Sequence, residues 1–378
     1  MMLHKFILLL LCTLSSLAGW AANATKIPAE RAGSIDDMAD FLKEKSLSKV
    51  DMLWSIQTWM SENMKYDLAK NAKIEELERQ GRSNMRKGNP LSPSATPSME
   101  EEAQAAFRAK SGVCADFTKL FVVWAGKVGV DMFYVKGTTH KGESHAWCAC
   151  IMDGVPYLFD PTWGAGHWDE NTSVYEKRVD ASYFMVAPES FVKEHIPFDP
   201  LFQFSEYPLS YDLKPQNRYF NWRDTLSLYQ QQDSLAQMQG IYRRVLQNGK
   251  RNDVIEYDLY TLKQNLQVLK YNTEVDLYNR LSSNLGKISL QIVDIHNLLV
   301  DQKYISHNLE ANLRKTLDRM GKDLDDADAQ IVAMGAPSKD LLPHFTKMRR
   351  MIVTEKARLD KCSALLKKKK SDESRTGR

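Results

Sequence analysis

Cys114, His145 and Asp160 are the residues of this chain whose types and settings suit joint chemistry: a thiol nucleophile, an imidazole base and a carboxylate that orients the base. Cys114 stands in Ser111-Gly112-Val113-Cys114-Ala115-Asp116-Phe117, His145 in His145-Ala146-Trp147, and Asp160 in Asp160-Pro161-Thr162-Trp163-Gly164. Phe117, Leu120, Phe121, Trp124, Ala125 and Val128 follow the cysteine at helical spacing, so a buried helix begins at or just before Cys114. The unpaired N–H groups and positive dipole end of a helix start favour thiolate over thiol, and they can also hold a developing oxyanion.

The elements that must position the other two residues are strands. Ser144 to Met152 and Val155 to Asp160 read as a pair joined by Asp153-Gly154, a dipeptide suited to a two-residue turn with positive φ. Pairing Met152 with Val155 sets Ile151 opposite Pro156, Cys150 opposite Tyr157, Ala149 opposite Leu158, Cys148 opposite Phe159 and Trp147 opposite Asp160. His145 is then the diagonal neighbour of Asp160 on the same face, roughly 7 Å away between Cα atoms and within reach of a side-chain hydrogen bond. A helix N-terminal thiol packed against that face would complete a triad. By the same parity Cys148 and Cys150 point to the other face as packing residues. That parity also argues against a metal site built from Cys148, Cys150, His145 and His140, and no Cys-x-x-Cys pair is present, so no metal is expected.

The three motifs, in this order, resemble the transglutaminase-like (transglutaminase/protease) superfamily, with its Gly-Val-Cys helix start, His-x-Trp strand and Asp-Pro-Thr-Trp segment. The run Asp153-Gly154-Val155-Pro156-Tyr157-Leu158-Phe159-Asp160-Pro161-Thr162-Trp163-Gly164-Ala165-Gly166 is most similar to the microbial branch related to kyphoscoliosis-type peptidases. Tyr183 to Glu189, with His195-Ile196-Pro197 and Asp199-Pro200, resembles the segment that closes that domain, and Ile56 to Met60 with Asn63 to Asp67 resembles its opening helix. The resemblance covers residues 34–210. It implies an α+β fold, a papain-like transglutaminase core with an antiparallel sheet, in which Cys114 is nucleophile, His145 base and Asp160 orienting acid. Members hydrolyse a peptide or amide bond or transfer a glutamine acyl group to an amine, both through a thioester; no cofactor is expected for this chain. They draw a second oxyanion donor from a side chain upstream of the cysteine, for which Gln57 and Trp59 are the candidates here. Trp147 and Trp163 are expected as walls of the core or cleft, and His140 and His167 as solvated loop residues.

The remaining sequence bounds the setting. At 378 residues, 43% hydrophobic and 26% charged, the chain is long enough for two domains. Its net charge of +3 is outweighed by the four lysines of 367–370, so the body is near neutral and nucleic acid is not an expected partner. Residues 1–22 read as an export signal: His4 and Lys5 precede an apolar run from Phe6, and small residues follow around Ala18 to Ala24. A periplasmic or extracellular location is therefore expected, with no transmembrane segment after cleavage. No disulfide is expected, because the Cys148 and Cys150 side chains leave one strand side by side and Cys114 must stay free. Lys87 to Ser98, with three prolines, reads as a loop, and Ser98 with Glu101 as the capping box of a helix through Ala109.

After Pro215 leucines at helical steps indicate an all-α helical domain over 215–366, with breaks at Asn248-Gly249, Met320-Gly321 and Gly335-Ala336-Pro337 and a basic disordered tail over 367–378. Such a domain could take a protein partner. Two function classes follow. One is an exported cysteine enzyme acting on a peptide or protein substrate; the other is a non-catalytic envelope or extracellular binding or scaffold protein that retains the fold. A reactive thiol separates them.

Overall fold

A computed structural model of the chain describes residues 24–87, 97–169 and 174–371. Helices α1 (Ile35–Glu44), α2 (Lys49–Asn63), α3 (Leu68–Arg86) and α4 (Met99–Ala109) each begin at a residue whose side chain accepts the third N–H of the helix: Ser34, Ser48, Asp67 and Ser98. At Ser98 the capping box is complete, with Glu101 Oε2 accepting from the Ser98 N–H at 2.7 Å. Helix α5 (Cys114–Lys127) starts at the cysteine, as the apolar spacing requires.

Strands β1 (Phe133–Thr139), β2 (Ser144–Met152), β3 (Val155–Phe159) and β4 (His195–Pro197) form an antiparallel sheet in the order β3-β2-β1-β4. The β2–β3 register is the one counted from the turn, from Met152 opposite Val155 to Cys148 opposite Phe159, and Asp153 and Gly154 both have positive φ. Cys148, Cys150 and Phe159 share one buried cluster with Phe117, Leu120, Phe121 and Trp124 of α5 and with residues of α1 and α2. Helix α5 therefore covers the cysteine face of the sheet and not the face that β2 alternation gives to His145. Alternation tells which residues share a face, but not which face receives the helix.

The opposite face carries Val135, Trp147, Ala149 and Leu158, buried under Phe191, Leu201, Phe202, Phe204, Trp222 and Leu226. Gly137 of β1 lies opposite both His145 and Pro197, and a Cβ there would meet the Ile196 carbonyl and come within 2.6 Å of the Trp147 ring. The absence of a side chain lets Trp147 cross that strand.

The chain separates into two compact units, one up to Leu266 and one from Gln267. The first is longer than the 34–210 span of the resemblance, because α6 (Trp222–Gln231), α7 (Ser234–Gln247) and the start of α8 (Asp253–Asp301) pack within it. Trp222 and Leu226 cover the sheet, Arg244 holds Asp199 through two bonds of 2.7 and 2.6 Å, and Asp258 pairs with Lys136 at 2.6 Å. The second unit combines the rest of α8 with α9 (His307–Met334) and α10 (Leu342–Lys368) around Leu281, Leu285, Ile288, Leu324, Phe345 and Ile352. Arg349 pairs with Asp328 and Lys356 with Asp325, so α9 and α10 run in opposite directions.

Helix α7 ends at Gln247 and α9 at Met334, each followed closely by a glycine with positive φ. The break expected at Met320-Gly321 does not occur: α9 passes through it, with Leu317, Met320 and Leu324 all buried. The residues from 367, expected as the start of a disordered tail, are ordered as far as 371. Leu366 is buried, α10 runs through Lys368, and Lys370 and Ser371 pair with Tyr304 and Ile305. The export segment, loop residues 88–96 and the chain after Ser371 lie outside the described residues. Among the described residues no helix is long and apolar enough to cross a membrane.

Candidate active site

Cys114 owes its position to the capping of α5. Asp116 Oδ2 accepts the Val113 N–H at 2.8 Å, and Lys70 Nζ of α3 reaches both Asp116 oxygens at 2.8 and 2.7 Å. A Cβ on Gly112 would collide with the Asp116 side chain, so glycine is the residue that lets the chain pass this close to the cap. Asp116 leaves the N–H groups of Cys114 and Ala115 without a carbonyl partner among the described residues, at the positive end of the helix.

His145 is the second residue of β2, 6% exposed, and its Nε2 lies 2.7 Å from Asp160 Oδ2. The carboxylate can only accept, so Nε2 carries the proton and Nδ1 is left free of Asp160, while the Cys114 thiol lines the same cleft close enough to help hold the imidazolium charge. Thiol and imidazole thus meet where α5 and β2 both begin. Burial penalises the imidazolium, but the charge and hydrogen bond of Asp160, and then Cys114, outweigh it and raise the His145 pKa well above the ordinary imidazole range. Asp160 is fully buried just past the end of β3. Its Oδ1 accepts the N–H groups of Thr162 and Trp163 at 2.9 and 3.0 Å. Although burial opposes charge there, His145 and the other donors hold the carboxylate well below its usual range.

A fourth donor, His195, escapes the sequence reading. Its Nε2 lies 2.9 Å from the same Asp160 Oδ2. The sequence places it in the closing His195-Ile196-Pro197 segment but gives it no role: it is 35 residues from Asp160 and comes alongside only because β4 pairs with β1. His145, Asp160 and His195 present three donor atoms within 4.8 Å, a spacing a metal could bridge, but both imidazole protons are already directed at one carboxylate oxygen.

The other expected site residues fall elsewhere. Gln57 is buried and donates to the Pro161 carbonyl at 3.2 Å, while Trp59 packs between Phe107 and Trp124 beneath Lys110. Neither lines the cleft at Cys114. Both belong to the inner face of α2, which serves the core, so neither is placed as an oxyanion donor. Trp147 is fully buried against Phe191 and His195, a core wall and not a cleft wall. Trp163 stacks on His145 at 4.9 Å and borders a neighbouring cavity of about 430 Å³ with Tyr183, Arg178 and Glu194. His140 and His167 are exposed.

The cleft at Cys114 and His145 has a volume of about 760 Å³ and is walled by α3 on one side and by Tyr134, Lys136 and Gly142 to Ala146 on the other. Much of its charge is internally paired: Glu76 with Arg79, Glu78 with Arg82 and Lys136 with Asp258. The Tyr134 hydroxyl has no hydrogen bond among the described residues, and burial, with Cys114 nearby, pushes its pKa up, so it stays a donor. Sequence spacing gives no hint of Tyr134, because its place in the cleft depends on the β1–β2 pairing.

Residues 34–177 match a family described as a transglutaminase-like domain. Kyphoscoliosis peptidase of Mus musculus is 35% identical over 78 residues, which is 20% of this chain and 12% of that protein. Kyphoscoliosis peptidase of Homo sapiens is 33% identical over 87 residues, 23% of this chain and 13% of the relative. The chain thus spans only about an eighth of the length of these curated relatives. A solved structure described as that of a TGase aligns at 16% identity and a TM-score of 0.26, covering 46% of this chain and 42% of its own. With the Gly-Val-Cys, His-x-Trp and Asp-Pro-Thr-Trp motifs, the match identifies residues 34–177 as a transglutaminase-like domain.

Proposed function

We propose that the chain is a cysteine enzyme of transglutaminase-like type, exported from the cell, that forms a thioester on Cys114 from a peptide or protein amide. The observation that carries this reading is the buried His145–Asp160 hydrogen bond of 2.7 Å beside Cys114, which lines the same cleft as His145. In the forward step Cys114 passes its proton to His145 Nδ1 and sulfur attacks the amide carbon. The oxyanion is held by the Cys114 N–H, with the Tyr134 hydroxyl as second donor. The C–N bond then breaks as His145 returns the proton to the leaving amine, and water or a second amine resolves the thioester.

The test is the rate of Cys114 alkylation by iodoacetamide against pH, followed by mass spectrometry in the wild type and in His145→Ala. Burial raises the pKa values of the Cys148 and Cys362 thiols, and that of Cys150 to about 12, so the reagent discriminates for Cys114 among the described cysteines. Because the His145 imidazolium persists above its ordinary range, Cys114 should react readily at about pH 6 to 7, where a free cysteine titrating near about 8.5 is slow. Loss of the imidazole should slow the neutral-pH reaction by about tenfold or more. A slow thiol indifferent to His145→Ala would instead indicate a binding scaffold.

A further inference from the structure

We propose that His195 is a positioning residue of this site, sharing the Asp160 carboxylate with His145 so that its charge is not spent on one imidazole alone; this rests on His145 being the base. Two imidazole N–H groups converge on Asp160 Oδ2, from His145 at 2.7 Å and from His195 at 2.9 Å, while two backbone N–H groups hold Oδ1. The carboxylate accepts two bonds on each oxygen and cannot rotate. Removing His195 would leave it fixed through Oδ1 and concentrate the Oδ2 charge on His145. A more tightly held imidazolium is a poorer proton donor to a leaving amine.

The surroundings of His195 suit a single neutral N–H. The ring is 1% exposed, stacked on Phe191 at 3.9 Å, with Trp163 at 4.6 Å and Trp147 edge-on at 5.1 Å. This slot would accept a phenylalanine on packing grounds. What imidazole adds is the bond to Asp160, and its Nδ1 is left buried without a hydrogen-bond partner among the described residues. The titratable groups facing it are Asp160, His145, Tyr183 and Glu194. Burial first, with the neighbouring His145 charge, outweighs Asp160 and keeps His195 below its ordinary pKa, so it stays neutral while His145 is the ring that charges.

The experiment is an NMR titration of the eight histidines by long-range 1H–15N correlation in the full chain, with His145 and His195 assigned by substitution. In the wild type His195 should remain the neutral Nε2–H tautomer across the pH range in which His145 titrates; a protonated His195, or an Nδ1–H tautomer, overturns the proposal whatever the variants do to the His145 pKa. In His195→Phe the His145 pKa should rise by about one unit, a tenfold gain in proton affinity, and His195→Gln, which can donate to Asp160, should return it toward the wild-type value. An unchanged His145 titration in His195→Phe, or an equal shift in both variants, would leave His195 a packing residue. These readouts are independent of alkylation, so an unreactive Cys114 would remove the enzymatic reading while the titration still judges His195.

Discussion

At Gly112 the backbone runs so close to Asp116 that no other side chain fits without displacing the cap of α5. Gly112→Ala should therefore disturb the Val113 N–H bond and the Lys70 pair together, costing about 1–3 kcal/mol of stability. It should also slow Cys114 alkylation at neutral pH, since the first turn carries the thiol. A melting curve beside the alkylation rate checks both, and an unaltered thiol would mean that the cap does not set its reactivity. Cys114, His145 and Asp160 were legible as neighbours in the sequence, because the apolar spacing after Cys114 and the Asp153-Gly154 turn fix a helix start and a register. His195 and Tyr134 were not. Each reaches the site through strand pairing with residues far along the chain: the loop at Gly142, whose positive φ closes the β1–β2 turn, does not tell which β1 residue faces the cleft, and β1 and β4 are joined by no hairpin.

At the scale of elements, local signals did well where capping chemistry or a positive-φ glycine decides an end, as at Ser98, Gly249 and Gly335. They failed at Gly321, because a single glycine costs a helix only about 1 kcal/mol relative to alanine, and burial of Leu317, Met320 and Leu324 along one side of α9 exceeds that. A Cβ at Gly321 meets nothing within 4 Å. Gly321→Ala should thus stabilise the chain by about 0.5–1 kcal/mol, read as an upward shift of the denaturation midpoint with an unchanged slope. A loss of stability would show that the helix does bend there. The side of the sheet taken by α5 was likewise beyond sequence, since Cys148 and Trp147 are both apolar enough to be buried, and two full cores, one on each face, receive them.

For the molecule as a whole, the question is how much of the chain the site needs. Composition alone placed the change of character near Pro215, where proline and glycine become scarce. Packing places the division at Leu266, since Trp222 and Leu226 cover the sheet face behind Trp147, Arg244 neutralises the buried Asp199, and Asp258 pairs with the cleft residue Lys136. Fully burying side chains such as Trp222 and Leu226 contributes about 1.5–3 kcal/mol apiece, and stranding Asp199 without its guanidinium costs about 3–5 kcal/mol more. Those terms together rival the whole stability of an ordinary domain, about 5–15 kcal/mol. A chain ending at residue 214 should therefore fail to give a cooperative melt, whereas one ending near residue 280, which keeps α6, α7 and the start of α8, should fold and retain the wild-type alkylation rate at Cys114. Circular dichroism and the iodoacetamide assay on the two truncations decide it. If the shorter chain folds with a reactive thiol, then α6 and α7 belong functionally with the helices after Gln267; if the longer one is folded but unreactive, those later helices take part in building the site.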